Sequence, residues 1–310
     1  MAGQGPITLI EGVTPLETQF GAVAPKTVPD ALLRPLLEPA DIPTYAIIDA
    51  AKVTNLAEML VGSGLPHRCL FKGAAYDEYK DVAPWLIQIK GDNDFTRNLF
   101  TASDAPWHLW DMVQGIYLRS DAQFDVIWAH FRKFTKVRDP KGKWYYFRFW
   151  EAPYLTGLLH NGDPTTIARL LSIGPLLTCD PSQKTATVFP AQILQKDLPQ
   201  TAFALRDADI AALGDVSLRQ FATRLSTWIT QDYQDAPPRH EMDEIAYQGI
   251  LRARSVLGLT DERSIADYVA ASWLFGEPAE TRYDMANAPN LGHVLSVVHE
   301  EARKNRYGHV

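Results

Sequence analysis

Trp144-Tyr-Tyr-Phe-Arg-Phe-Trp150, followed by Glu151-Ala-Pro-Tyr154, is the stretch around which this chain is organised. Its first seven positions hold six aromatics and one arginine. Aromatic side chains favour a pleated surface, and the run is too short for a helix, so it reads as a strand. Alternation puts Trp144, Tyr146, Arg148 and Trp150 on one face and Tyr145, Phe147 and Phe149 on the other. Both faces are bulky, so both should be covered, which predicts a central strand. Arg148 sits between two rings; its guanidinium can stack on either, and it still needs an anionic or carbonyl partner.

Upstream of this stretch, strand and helix patterns alternate. Tyr45-Ala-Ile-Ile-Asp49 reads as a buried strand ending in an acid, and Val53–Val61 as a helix stopped by Gly62-Ser-Gly64. Arg68–Phe71, Trp85–Ile89 and Gly115–Leu118 read as further strands. Asp92-Asn-Asp94 can cap a helix through Phe100, and Ser120 with Gln123 has the spacing of a capping box. Phe124, Ile127, Trp128 and Phe131 share one helical face. Residues 44–160 are therefore expected to form an α/β lobe, a mixed sheet with flanking helices. Before it, residues 1–43 carry seven prolines and predict an extended arm with one short helix near Ala31–Leu37. After it, residues 161–201 read as a connector with a small hairpin. Residues 202–310 predict an all-helical lobe. Its stripes are Leu218/Phe221/Leu225/Trp228/Ile229, Ile265/Tyr268/Val269 and Leu291/Val294/Leu295/Val298, with a further helix over Glu241–Val256.

With 310 residues there is enough chain for two cores. Hydrophobics at 46% and charges at 22% are a globular balance, and a net charge of −7 argues against general nucleic-acid binding. Cys69 and Cys179 are too few for a disulfide framework or a metal site and fit a reduced, cytoplasmic setting. The N-terminus lacks the basic-then-apolar pattern of a signal peptide, and no apolar run has the ~20 residues of a membrane span.

The residue chemistry singles out no catalytic, cofactor or metal set. Gly62-Ser-Gly64 follows a helix, where a dinucleotide fingerprint needs a strand. His293 and His299, and His240 with Glu241 and Glu244, miss the spacing of a zinc helix. Cys69 lies in an apolar strand, where a thiol is usually inert packing. Arg132, Lys133, Lys136, Arg138, Lys141 and Lys143 form a basic cluster in an acidic chain, either a solvated helix end and turn or a docking patch for an acidic surface. Asp49 and Glu151 lie at predicted strand ends. As a pair they could act as acid and base; a structural role, pairing with Arg148 or Arg119, is the stronger expectation.

Four pieces in order resemble the adaptor/chaperone family of bacterial type VI secretion, long catalogued as a domain of unknown function. They are Tyr45–Ala50, Leu70-Phe71 through Val82-Ala-Pro84-Trp-Leu86, Ile116–Ser120 with Phe124, His130 and Arg132-Lys-Phe134, and Asp139–Gly142 with Tyr146–Trp150. The chain departs from the family in having Glu151-Ala-Pro153 after the aromatic run and Val113-Gln-Gly115 before the fourth strand. Together the pieces cover about the middle third of the chain. The resemblance implies a cytoplasmic, non-enzymatic protein without cofactors. Such a protein binds one cognate toxic effector, usually by its N-terminal region, and helps load it onto the VgrG spike. It implies neither nucleic-acid partners nor membrane insertion. Trp228, Tyr233 and Trp273 in the helical lobe, with Trp150, are the residues expected to meet cargo. Asp49, Arg119, Arg148 and Glu151 are expected to hold the α/β lobe together.

Overall fold

The structure, a computed structural model, describes residues 5–112, 115–193, 203–283, 285, 288 and 290–308. It divides into two compact units, Met1–Leu213 and Gly214–Val310.

In the first unit the chain runs β1 (Thr8–Glu11), α1 (Asp30–Leu37), β2 (Thr44–Asp49), α2 (Leu56–Ser63) and β3 (His67–Cys69). It continues through α3 (Ala74–Tyr79), β4 (Pro84–Ile89), α4 (Asp94–Leu99), β5 (Ile116–Arg119) and α5 (Phe124–Arg132). Then come β6 (Lys136–Arg138), β7 (Trp144–Tyr146), α6 (Ala152–Asn161), α7 (Pro164–Leu170), β8 (Leu176–Asp180) and β9 (Thr185–Phe189). Seven strands make one sheet in the order β1-β9-β8-β5-β2-β4-β3. An interior position falls to β2, whose six residues are all buried and which pairs with β4 on one side and β5 on the other. Its alternation feeds two cores. Ala46 and Ile48 face the side that packs α1, α2 and α4. Tyr45 and Ile47 face the side that packs α5, α6 and α7. A strand covered on both faces reads as a continuous apolar run, as Tyr45-Ala-Ile-Ile does.

The expected lobe of sheet and flanking helices, followed by a helical region, is what the structure has, but the sheet is not mixed. Every ladder in it is antiparallel. Alternating strand and helix patterns suggest parallel crossovers, and α2 and α4 do join parallel strands, β2 to β3 and β4 to β5, but an antiparallel strand lies between the two in each case. The stretch expected as a connector holds α7 and, within 176–189, the hairpin β8–β9. That hairpin is sewn into the sheet through Ile116↔Thr178 and Leu118↔Leu176. Residues 194–202 lie outside the described residues. The proline-rich arm supplies β1, paired with β9, and α1, which buries Leu32 and Leu36. Gly174, at φ +153, lies so close to β5 that a Cβ there would collide with the Arg119 carbonyl.

The aromatic run departs most from expectation. Only Trp144–Tyr146 is strand, and it pairs with β6 alone in a separate two-stranded sheet. Trp144, Tyr145 and Tyr146 are 48%, 41% and 55% exposed, whereas Phe147, Phe149 and Trp150 are buried. The Asp139–Gly142 turn closes this hairpin: Lys143 N–H donates to Asp139 Oδ1 at 2.8 Å, and Gly142 takes φ +83. The Ser120/Gln123 pattern is not a capping box either. Ser120 Oγ accepts from Ala122 N–H, and Gln123, the N-cap of α5, makes no side-chain cap.

The helical region is α8 (Asp207–Asp232), α9 (Arg239–Leu257), α10 (Glu262–Phe275) and α11 (Leu291–Tyr307). Leu225 and Ile229 of α8, Ile265, Tyr268 and Val269 of α10, and Leu295 and Val298 of α11 are buried in one core. Met242, Ala246, Ile250 and Ala253 line the buried face of α9 at helical spacing. Asp261 caps α10 by accepting from Ser264 N–H at 2.8 Å, and Gly276 closes it in the left-handed region.

Candidate functional site

The chain leaves β2 at Asp49, whose position at the strand end lets its carboxylate cap the following turn. Oδ1 accepts from Ala51 N–H at 3.0 Å. Oδ2 lies 2.9 Å from Arg148 Nη2. Arg148 Nε lies 2.5 Å from Glu151 Oε1, and Lys52 Nζ is 3.9 Å from Glu151 Oε2. Asp49, Arg148 and Glu151 thus meet in one junction joining β2 to the entry of α6. Asp49 is only 5% exposed, so its charge needs the guanidinium; Arg148 is half exposed, so solvent screens the pair. Both carboxylates meet the same guanidinium, and Glu151 also faces Lys52. Arg119 goes elsewhere. Its Nη1 and Nη2 donate to the carbonyls of Glu38 and Pro39 and pin β5 to the end of α1, while burial lowers its pKa.

Trp228, Tyr233 and Trp273 come from distant positions and converge in the helical unit. The Tyr233 ring packs on Trp273 at 5.3 Å and on Trp228 at 6.5 Å, and Tyr307 stacks on it at 5.8 Å. Tyr233 OH lies 2.9 Å from His299 Nε2, and His299 Nδ1 lies 2.9 Å from Asp267 Oδ1. This row of three polar groups satisfies the interior of the unit, and burial raises the Tyr233 pKa. Tyr233 is buried, while Trp228 and Trp273 are half-buried, with Arg306 over the Trp273 ring at 4.6 Å. Trp150 is not a surface ring. It is buried against Phe71 and Phe149, and its Nε1 is buried without a hydrogen-bond partner. The aromatic run turns inward before reaching it, so it has no open face for cargo.

A shallow hollow of about 500 Å³ lies beside the edge strand β3. Its walls include Val61 of α2, Arg68, Phe71, Tyr76, Trp85 and Trp128. Trp128 Nε1 donates to Cys69 O at 2.8 Å, which fixes the indole as one wall. No periodic signal in the sequence announces this hollow, because its walls come from five separate segments. Burial pushes the Cys69 thiol up to about 11 and the Cys179 thiol to about 12, so neither is a ready nucleophile. Among the described residues no three His, Cys, Asp or Glu side chains gather as metal ligands, and no helix is long and apolar enough to cross a membrane.

These features describe an antiparallel sheet clad in helices, with the buried Asp49 held by Arg148 and a cluster of rings inside the helical unit. A family model described as a domain of unknown function, DUF4123, matches residues 44–169, about two fifths of the chain. The match begins with β2 and ends in α7, and the family is known as one associated with type VI secretion effectors. No curated protein and no solved structure matches the chain.

Proposed function

We propose that this chain is a cytoplasmic adaptor of type VI secretion. It binds one cognate effector, through that effector's N-terminal segment, and loads it onto the VgrG spike. The observation that carries this is the family match over residues 44–169, which spans the four pieces of sequence that resemble the adaptors. The side chains are in keeping with it. Asp49 and Glu151 are held by Arg148, and half-buried rings such as Trp228 and Trp273 offer apolar surface of the kind that covers an amphipathic helix. The work is binding, not catalysis: an effector segment with an exposed apolar face aggregates unless covered, and the adaptor covers it.

Co-expression with a candidate effector from the same genome, followed by pull-down of effector truncations, tests this. Retention and solubilisation of the N-terminal segment alone is expected. Loss of every effector fragment from a folded adaptor would contradict the proposal.

A further inference from the structure

The basic cluster noted in the sequence is not used by the site described above, and the structure gives it a form. Residues 132–143 hold six Lys or Arg against one Asp, a local charge of +5 in a chain of −7, so the rest of the chain carries −12. None of the six makes an ion pair among the described residues, although fifteen such pairs occur elsewhere. Four of them instead sit over aromatic faces. Arg138 and Lys136 lie 4.6 and 5.3 Å from the Trp144 ring, Lys143 lies 5.1 Å from Tyr145, and Arg132 lies 5.5 Å from Trp128.

The register explains the arrangement. Arg138 faces Trp144 and Lys136 faces Tyr146 across the β6–β7 ladder, so cations and rings alternate on one outward face. The inward side is fixed by Val137, which is fully buried, so the face cannot turn in. Lysines on a short hairpin commonly blunt an edge against aggregation. That accounts for the cations and leaves the exposed Trp144 and Tyr146 rings on this face unexplained. Asp139, the one acid in the segment, is occupied by the turn. At its far end the ladder reaches the hollow: Tyr146 packs on Phe71 at 5.8 Å, and Phe71 is one of the hollow's walls.

We propose that the β6–β7 hairpin is a docking face for an acidic protein segment. Its carboxylates would lie along Arg138 and Lys136, with an apolar side chain in the hollow beside Phe71. The occupant is set by charge complementarity and stands apart from the effector proposal. Cations already seated on rings are held in place, so a carboxylate meets them with less side-chain ordering to pay for. An apolar seat at the end of the row discriminates a peptide from a bare polyanion.

The test uses the full chain and a fluorescein-labelled Glu-rich peptide carrying one Phe, read by anisotropy. The comparison probes are the same peptide with Gln for every Glu and a single-stranded oligothymidine. Binding of the Glu peptide is expected, weakened by added salt and reduced about ten-fold or more by Lys136→Glu with Arg138→Glu. The milder pair Lys136→Gln with Arg138→Gln, checked for an unchanged melting temperature, should lose affinity in the same direction. The docking face is overturned by any of three results: equal binding of the Gln peptide, undiminished binding by the charge-reversed variant, or no binding at all. Tighter binding of oligothymidine than of the Glu peptide also overturns it, in favour of a nucleic-acid surface.

Discussion

Trp144–Tyr146 and Phe147–Trp150 are two halves of one aromatic run, alike in composition and opposite in environment. The first half is half exposed on the β6–β7 hairpin and surrounded by Arg138, Lys136 and Lys143. The second half turns into the sheet's core, where Phe149 stacks on Phe131 at 5.6 Å and edges Phe134 at 6.1 Å. Aromatic identity therefore did not decide burial. The neighbours did: cations stabilise a ring at the surface, and other rings draw it inward. Between the halves, Arg148 ties the run to β2 through Asp49.

The largest expected effect lies in the inner half. Phe149→Ala removes a fully buried ring from a cluster of rings and should cost about 3–5 kcal/mol of unfolding free energy by chemical denaturation. A loss below about 1 kcal/mol would mean the inner half is not core.

His130 packs on the same cluster, 5.0 Å from Phe131 and 5.2 Å from Phe134, with Nε2 buried and unpartnered. Burial, helped by nearby Lys133, holds its pKa down at about 4 against the usual 6.5, although a hydrogen bond with the Leu170 backbone opposes this. The unfolded chain therefore takes up the proton first as pH falls. The contribution is whole above about pH 6.5 and declines towards pH 4. Between about pH 7.5 and pH 5 the parent should lose about 2 kcal/mol that His130→Phe does not lose, measured by paired denaturation curves. Parallel pH profiles for parent and variant would place His130 outside the core.

At the join, Arg148→Ala leaves the buried Asp49 carboxylate with the Ala51 amide as its remaining contact and should cost about 1–2 kcal/mol, tempered by solvent at the half-exposed guanidinium. Adding Asp49→Asn should recover part of that, since a neutral amide still caps the turn and needs no cation. Effector selectivity should be kept in both variants. An unchanged melting temperature with effector binding lost would move Arg148 from the scaffold to the docking surface.

The contrast also shows what a sequence can carry. Local patterns were legible: Tyr45–Asp49 as a buried strand, a helix cap within Asp92–Asp94, the apolar stripes of α8, α10 and α11, and the charged turn at Asp139–Gly142. Pairing was not, because it depends on partners far away. Nothing near Leu176 announces that it lies opposite Leu118, so β8 and β9 read as part of a connector. The junction was readable because a lone arginine among rings must find an acid, and Asp49 and Glu151 were the acids at strand ends. Trp228, Tyr233 and Trp273 stood out as aromatics of the helical lobe, but nothing in the sequence says that they converge. That Tyr233 is spent on His299 inside the unit could not be read either, since side-chain partners 66 positions apart leave no local trace.

The most direct test is the unfolding free energy of a Trp144→Ala, Tyr146→Ala double variant. Removing two rings that serve recognition should leave stability within about 1 kcal/mol of the parent. A loss of about 3–5 kcal/mol, the scale expected for Phe149→Ala, would show that the outer half is core after all and would contradict the division of the run into a folding half and a docking half.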